Sequence, residues 1–510
     1  MEAAPPLTLL ASTSNPDGSS PHRSKDRRPD LHDQVSFFRS VQWSADGSTL
    51  FTTSSSNRIC SFVLSADLLE PRQEPTPLNA LGTLILSEAT SAVSPCPYFS
   101  IQYPNTQVLL TGCADQPIQL HHAFSPSPES EDESVGDGGA MSLPPPHRSP
   151  PIASYRLIKQ ETEAYMPVSS LIWPAPGTHF IAGTLNRIAL YDISRPGVVH
   201  SEPIMTIRTI PSRKDIDNGV KVTGLRGHVS ALAVQPDVSG IAGMLAAGTR
   251  IRDVGLYDLK GGTGCCLNSW NVERDAAKSK IGGLGIMQTI WSPCGRYLAI
   301  NERKSSGLLV YDVRSTSRLL AHLTGRNGET PQRMSCDVFQ SSKAEANGGG
   351  FELWAGTMDG TVVVWEGVGR REGAVKPSWD WKAHGSSVGG AALHSAGSVV
   401  ATCSGSLVYV DDESSDESDS SDESDGSDSD DSSESDSSGE SDSSGESHMS
   451  VETGSASNRA QRPRQRQHKR FVPKPPAMVE TSLKLWSVGA NPAGPSHAET
   501  ADHGDNSHQQ

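Results

Sequence analysis

No two of the eight cysteines stand two residues apart. Cys60, Cys96, Cys113, Cys265, Cys266, Cys294, Cys336 and Cys403 are scattered along the chain. Neither a zinc site nor a disulfide framework is therefore indicated, and reduced thiols in a cytosolic or nuclear setting are expected. No stretch approaches the roughly 18 apolar residues of a membrane span. The N-terminal stretch Met1–Ser20 lacks a basic region followed by a long apolar core, so no signal peptide is expected. The Gly-rich run Lys260–Gly264 has no Gly-Lys-Ser/Thr, and so reads as a loop, not a phosphate cradle. Residues Gly385–Gly389 match the G-x-S-x-G pattern, but a strand-like run follows where a nucleophile elbow requires a helix. His121-His122 lack ligand spacing. No pair of carboxylates falls on adjacent ordered strands. These absences leave no catalytic residue, no metal ligand and no cofactor to assign.

Charge is present but unevenly placed. The formal net charge of the 510 residues is −16, yet residues 411–447 alone hold 17 Asp and Glu and no Lys or Arg. Without that run the rest of the chain stands at +1. Acidity is thus a local feature. A basic run, residues 459–474, follows it. Ser414, Ser415, Ser420 and Ser421 each have an acidic residue two or three positions on, the pattern that acidophilic kinases prefer. Each phosphate there would add about −1.5 to −2 charges.

What the sequence has in abundance is one pattern, repeated. In residues 170–197 an alternating apolar segment ends at Trp173 and a Pro-Gly turn follows. A strand-like run then turns at Asn186-Arg187 into another that closes on Tyr191-Asp192. Short β-branched and aromatic runs separated by turn residues read as antiparallel strands. The closing aromatic-Asp pair holds the position of the WD dipeptide of a propeller blade. Related units start near residues 37, 98, 170, 226, 287, 336 and 379. Their third strands close at Tyr257-Asp258 in the fourth, Tyr311-Asp312 in the fifth and Trp365 in the sixth. In the fourth unit His228 is expected to bond a turn Asp, tying outer loop to inner hairpin. The seventh stops after residues 399–403, and its missing strand reappears at 482–488, with Trp486 where Trp365 stands in the sixth. The acidic and basic runs are therefore an insertion inside the last blade.

The fold expected is all-β: a seven-bladed WD-repeat β-propeller with disordered insertions. Residues 1–33 supply a closing strand (7–11) and a flexible loop. Residues 34–410 form blades 1–7, with flexible loops at 65–94, which holds a β-prone patch at 81–86, and at 125–151. Residues 411–478 are the disordered insertion, 479–488 the final strand and 489–510 a disordered C-terminus. The last blade has no outer strand after Val488, and residues 7–11 are the natural candidate to provide it.

The order of motifs resembles the telomerase Cajal body protein family of WD-repeat proteins, including its fungal splicing-associated relatives. The resemblance is carried by Phe37-Phe38-Arg39 through Trp43-Ser44-Ala45-Asp46-Gly47, by Gly183 with Asn186-Arg187 and Ser194-Arg195-Pro196-Gly197, by Gly255-Leu256-Tyr257 and by residues 401–405. It covers roughly residues 7–488. The chain departs from the family in its acidic insert, in its two long loops and in lacking a clear Trp-Asp in most blades. The resemblance implies a non-enzymatic RNA-protein scaffold in small nuclear ribonucleoprotein biogenesis, pre-mRNA splicing or telomerase RNA handling. Its implied partners are small nuclear or Cajal body RNA and ribonucleoprotein proteins. It implies a monomer within a larger complex, located in the nucleus with the cytoplasm as an alternative. Two rival readings are a protein-only WD-repeat adaptor and an acidic-loop chaperone for basic proteins.

The residues themselves point to one face. Turns between second and third strands carry Arg58, Arg187, Arg250 with Arg252, and Arg303 with Lys304. A clustered basic face would attract RNA phosphates, although exposed turns are commonly polar for no other reason than solvation. Trp43, Trp173, Trp291 and Trp354 could stack on bases, but each sits on an apolar strand, where core packing is the commoner role. The insert leaves from this same face. At about 30–35 Å its typical reach matches the width of a propeller, so its carboxylates are expected to compete with RNA for the cations.

Overall fold

Each blade starts from the same local chemistry. Strands form where β-branched, aromatic and small residues alternate, and each hairpin between second and third strands needs one residue with positive φ. In blades 1 to 3 residues that tolerate it are present: Asn57 (φ 59°), Asp115 (53°) and Asn186 (55°). In blade 6 it is Gly360 (89°). Blades 4 and 5 place Arg252 (74°) and Lys304 (48°) there instead, an unfavourable choice that other contacts must hold in place.

The computed structural model describes residues 5–13, 36–125, 146–159, 162–195, 202–210, 217, 224–236, 243–259, 264–340, 350–408 and 477–489. Residues 14–33, residues 126–145 of the loop expected at 125–151, the acidic and basic runs, the phosphorylation candidates Ser414, Ser415, Ser420 and Ser421, and residues 490–510 lie outside them. The end of that loop is described, and His147 in it bonds the backbone of Thr83 and Ile85 in the strand Gly82–Ile85. The chain divides into two units, residues 409–476 and the remainder, and only the second has described residues.

That unit is a seven-bladed β-propeller. Strands are lettered a to d from the channel outward. Blade 1 comprises Phe38–Trp43, Thr49–Ser54, Arg58–Val63 and Gly82–Ile85. Blade 2 comprises Thr90–Pro95, Val108–Cys113, Ile118–His122 and Ala153–Tyr155. Blade 3 comprises Ser170–Ile172, His179–Thr184, Arg187–Asp192 and Met205–Arg208. Blade 4 comprises Val229–Val234, Met244–Thr249, Asp253–Asp258 and Cys265–Asn271. Blade 5 comprises Ile286–Trp291, Tyr297–Glu302, Leu308–Asp312 and Ala321–Leu323. Blade 6 comprises Cys336–Phe339, Phe351–Gly356, Thr361–Val368 and Trp379–Lys382. Blade 7 takes Val388–Leu393, Val399–Val408 and Ala477–Val488, with Leu7–Ser12 as its strand d.

Three sequence readings need correction. Residues 65–94 are not one flexible loop: they contain strand d of blade 1 and the start of strand a of blade 2. The second unit, read as starting near residue 98, begins earlier, with strand a at Thr90–Pro95, and residues 98–103 lie in turns that lead to strand b. Trp379–Lys382, read as opening the seventh unit, pairs with Thr361–Val368 and belongs to blade 6. The last discrepancy is the offset between a sequence repeat and a structural blade.

Apolar side chains fill the spaces between blades. Leu109, Phe99, Phe180 and Tyr191 join blades 1 to 3, while Leu353, Trp365 and Val310 join 5 and 6. Ala11, Leu485 and Leu50 join strand d of blade 7 to the core shared with blade 1. The inner strands are also cross-linked. The indole Nε1 of Trp43 donates to the Ala392 carbonyl at 2.9 Å and that of Trp291 to Ala233 at 3.0 Å. Trp173 donates to Gly177 at 2.8 Å, and Trp354 is 1% exposed. These tryptophans are structural members of the ring.

His228 does not bond a turn Asp. Its Nδ1 lies 3.1 Å from Ser169 Oγ, in the loop leading to blade 3. A buried histidine network of a different kind, without an Asp, occurs in blade 7 around His384. Its Nε2 is 2.8 Å from Thr402 Oγ1, which accepts from Trp486 Nε1 at 2.9 Å. Its Nδ1 is 2.9 Å from Ser482 Oγ and 3.5 Å from Glu480 Oε1. This network ties strands b and c together on either side of the long insertion.

Ring closure rests on antiparallel pairing of Leu7 with Val488, Leu9 with Trp486 and Ala11 with Leu485. Deleting residues 1–12 removes that ladder and buried Ala11, and should cost several kcal/mol. Thermal unfolding checks it, with a clear fall in melting temperature expected. A second test concerns buried His121. Its Nδ1 has no hydrogen-bond partner among the described residues, and burial followed by the neighbouring His147 lowers its pKa to about 4. Between pH 6.5 and 4 the unfolded chain binds a proton that the folded chain refuses, so stability is complete above pH 6.5 and falls below it. About 2 kcal/mol should be lost by pH 5. In urea unfolding, His121→Leu should shrink the difference between pH 7.5 and pH 5.

Candidate anion-binding site at the channel mouth

The turns between strands b and c, and the loops leading to each strand a, lie on one face. There, five of the seven inner strands begin with a bulge, at Arg39, Ser91, Ser230, Met287 and Gly389. A bulge re-aims one side chain out of the strict alternation. In blade 1 the bulged residue is an arginine.

The neighbouring turns bring further arginines to the same place. In the loop leading to blade 5, the Leu284 amide donates to the Arg303 carbonyl at 2.8 Å, and Arg303 N donates to Gly285 at 3.0 Å. Gly285 has φ 107°, and a Cβ on it would sit 2.4 Å from the Arg250 carbonyl. Only glycine fits there, and its smallness lets the Arg250 and Arg303 turns come side by side. Arg303 Nη1 donates to the Pro331 carbonyl at 2.9 Å, and Arg333 Nη2 to Met287 at 3.1 Å. Arg39, Arg250, Arg303 and Arg333 therefore line the channel mouth, in a cavity of about 940 Å³.

Their charges repel one another. Burial, then Arg303, Arg39 and Arg250, push the Arg333 guanidinium down to about 10. Burial, then Arg250 and Arg39, lower Arg303 too. Among the described residues none of the four forms an ion pair with a carboxylate. The acid in the channel wall is Asp337, whose oxygens accept from the Val338 and Leu393 amides at 2.8 Å each. Burial pushes its carboxyl up to about 6. The mouth thus offers several donors and a strong positive potential, a setting for an anion.

Of the six cations singled out in the sequence, the structure brings Arg250 and Arg303 together. Arg58, Arg187 and Lys304 do not line the channel. Arg187 lies opposite Arg208 on the outer strand of its blade, and Lys304 is exposed at its turn. Arg252 is committed elsewhere: its Nε and Nη2 bond the carboxylate of buried Glu302 at 2.8 and 3.1 Å. That pair helps to hold its left-handed backbone. Arg39 and Arg333 were missed. Arg39 was visible in Phe37-Phe38-Arg39, but alternation does not reveal a bulge. Arg333 precedes a strand by three residues and carries no local signal.

Ser387 of the G-x-S-x-G stretch has its Oγ 3.8 Å from Met334 Sδ and runs into strand a of blade 7, not a helix. Among the described residues no helix is long and apolar enough to cross a membrane, which leaves β-barrels aside.

No protein-family model matches the chain. It is similar to "Guanine nucleotide-binding protein negative regulator 1" of Schizosaccharomyces pombe, at 26% identity over 65% of this chain and 71% of that protein. It is also similar to "Protein SWT21" of Candida glabrata, at 24% identity over 64% of this chain and 66% of that protein. Together with the seven-bladed ring, these likenesses fit a WD-repeat protein. Such a propeller, with its rigid ring and loop-built face, fits a non-enzymatic adaptor.

Four like charges gathered with no carboxylate paired to them among the described residues lower stability. At low salt, Arg250→Gln should raise the unfolding free energy by about a few tenths of a kcal/mol. The gain should fade as sodium chloride rises from about 0.05 to about 0.5 M. Urea titrations of both proteins at the two salt concentrations measure it.

Proposed function

We propose that this protein is a non-enzymatic scaffold of RNA-protein assemblies, acting in the nucleus in small nuclear ribonucleoprotein biogenesis, pre-mRNA splicing or telomerase RNA handling. The observation that carries the reading is the group of four arginines at the channel mouth, with no carboxylate paired to any of them among the described residues. Rigid blades hold the face, and anionic partners dock on it. Phosphates are natural ligands for guanidinium forks. Arg187, Arg208 and Lys304 extend positive charge outward from the mouth, where RNA backbone could lie. The resemblance of the motif order to the telomerase Cajal body family supports the RNA-linked part. A second reading, a protein-only adaptor, draws support from the relative named as a negative regulator of a guanine nucleotide-binding protein.

Crosslinking in the native cells followed by sequencing of bound RNA separates the two. Enrichment of small nuclear RNAs is expected, with about a tenfold loss on joint Arg250→Gln and Arg303→Gln substitution. A profile indistinguishable from a mock purification would remove RNA from the function.

A further inference from the structure

The rim around the arginines is aliphatic. Leu284 is 65% exposed, Ile251 49%, Met358 44% and Leu185 43%. All four occupy the face of the arginine mouth. Ile251 lies between Arg250 and Arg252, Leu185 and Met358 sit in the b–c turns of blades 3 and 6, and Leu284 bonds the Arg303 backbone. Exposed apolar side chains at corresponding turns of several blades, around one charged centre, mark an interaction surface. Their chemistry discriminates between partners. Binding of single-stranded nucleic acid relies on aromatic platforms for the bases. Among the described residues the strongly exposed aromatics are Tyr98 and Tyr103, which lie between strands a and b of blade 2, on the opposite face. The mouth has arginines and aliphatic side chains, and carries no strongly exposed aromatic side chain among the described residues; Phe37, beside Arg39, is half-buried.

We propose that the channel mouth docks an extended peptide carrying a phosphorylated serine or threonine, with the phosphate held by the four arginines and a flanking aliphatic side chain seated against Leu284 and Ile251. A phosphomonoester is preferred over a single carboxylate because it brings nearly two charges and three acceptor oxygens to a crowded set of forks. The anion also offsets the mutual repulsion of the arginines, so binding and stability are coupled. The inference rests on the reading of the mouth as the ligand site, and it names the protein side of the proposed assembly as the mouth's occupant.

The test is fluorescence anisotropy on the full chain, with three probes at low salt. They are a degenerate peptide of the form Leu-X-pSer-X-Leu, the same peptide unphosphorylated, and a single-stranded RNA with a 5′ phosphate and matched charge. The phosphopeptide is expected to bind at least about tenfold more tightly than its unphosphorylated form, and to lose about tenfold on joint Arg250→Gln and Arg303→Gln substitution. Leu284→Ser should weaken the peptide several-fold and leave RNA unchanged. Inorganic pyrophosphate should displace the peptide from the unmodified protein, a measurement that needs no variant. RNA binding more tightly than the phosphopeptide, with the same arginine dependence, would overturn the peptide and leave the proposed function standing. Binding of neither would overturn both. Phosphopeptide binding indifferent to the arginine substitutions and to pyrophosphate would place its site elsewhere and overturn the inference.

Discussion

Antiparallel pairing between Leu7–Ser12 and the end of Ala477–Val488 closes the ring, and every other feature depends on that closure. A blade is a twisted four-stranded sheet with two apolar faces, so each needs a neighbour on both sides. Before the pairing forms, blade 7 lacks its strand d. The first and last strands of the unit are thus held in register by main-chain hydrogen bonds, supported by Thr13, whose Oγ1 accepts from the Leu483 amide at 2.9 Å. The His384–Thr402–Trp486 network holds strands b and c of the same blade, which are separated in sequence by 68 residues. The entropic penalty of so long a connection grows only slowly with its length, and a satisfied buried network can offset it.

Closure also fixes where charge collects. The inner strands converge at the channel, so a residue at the start of one strand a faces its counterparts from other blades. Bulges turn those residues into the mouth, and Gly285 allows two turns to approach. The result is a charged cluster that folding alone would not favour. By contrast, Arg252 shows the stabilising use of the same residue type: it is paired at once with Glu302, and its fork is satisfied. Two arginines two positions apart on one turn, Arg250 and Arg252, therefore have opposite roles. The difference lies in their partners, not in their local sequence.

The repeating pattern of strands and turns was enough to specify an all-β ring of seven blades, because period-two alternation and turn residues are local properties. The interrupted seventh blade was legible for the same reason: Trp486 closes residues 482–488 as Trp365 closes the sixth unit. Strands with weak local signals were read only in part or misread. Gly82–Ile85 falls on the β-prone patch at 81–86 of a Pro-rich stretch, whereas Thr90–Pro95, which ends in proline, was read as loop, and both become strands by pairing with partners elsewhere. Sequence could not tell which unit the strand at Trp379 would join, since strand d is contributed at the boundary between repeats.

The site was only partly legible. Charge on the b–c turns could be read directly, and Arg250 and Arg303 came from that reading. Tertiary structure alone decided that Arg39 and Arg333 join them, that Arg252 is neutralised, and that Arg58, Arg187 and Lys304 stand apart from the channel. The physical reason is convergence: residues from four different blades meet at the axis, and Coulomb repulsion and desolvation depend on distances that no local pattern contains. Sequence by itself determined the blades; closing them into a ring determined which charges face one another.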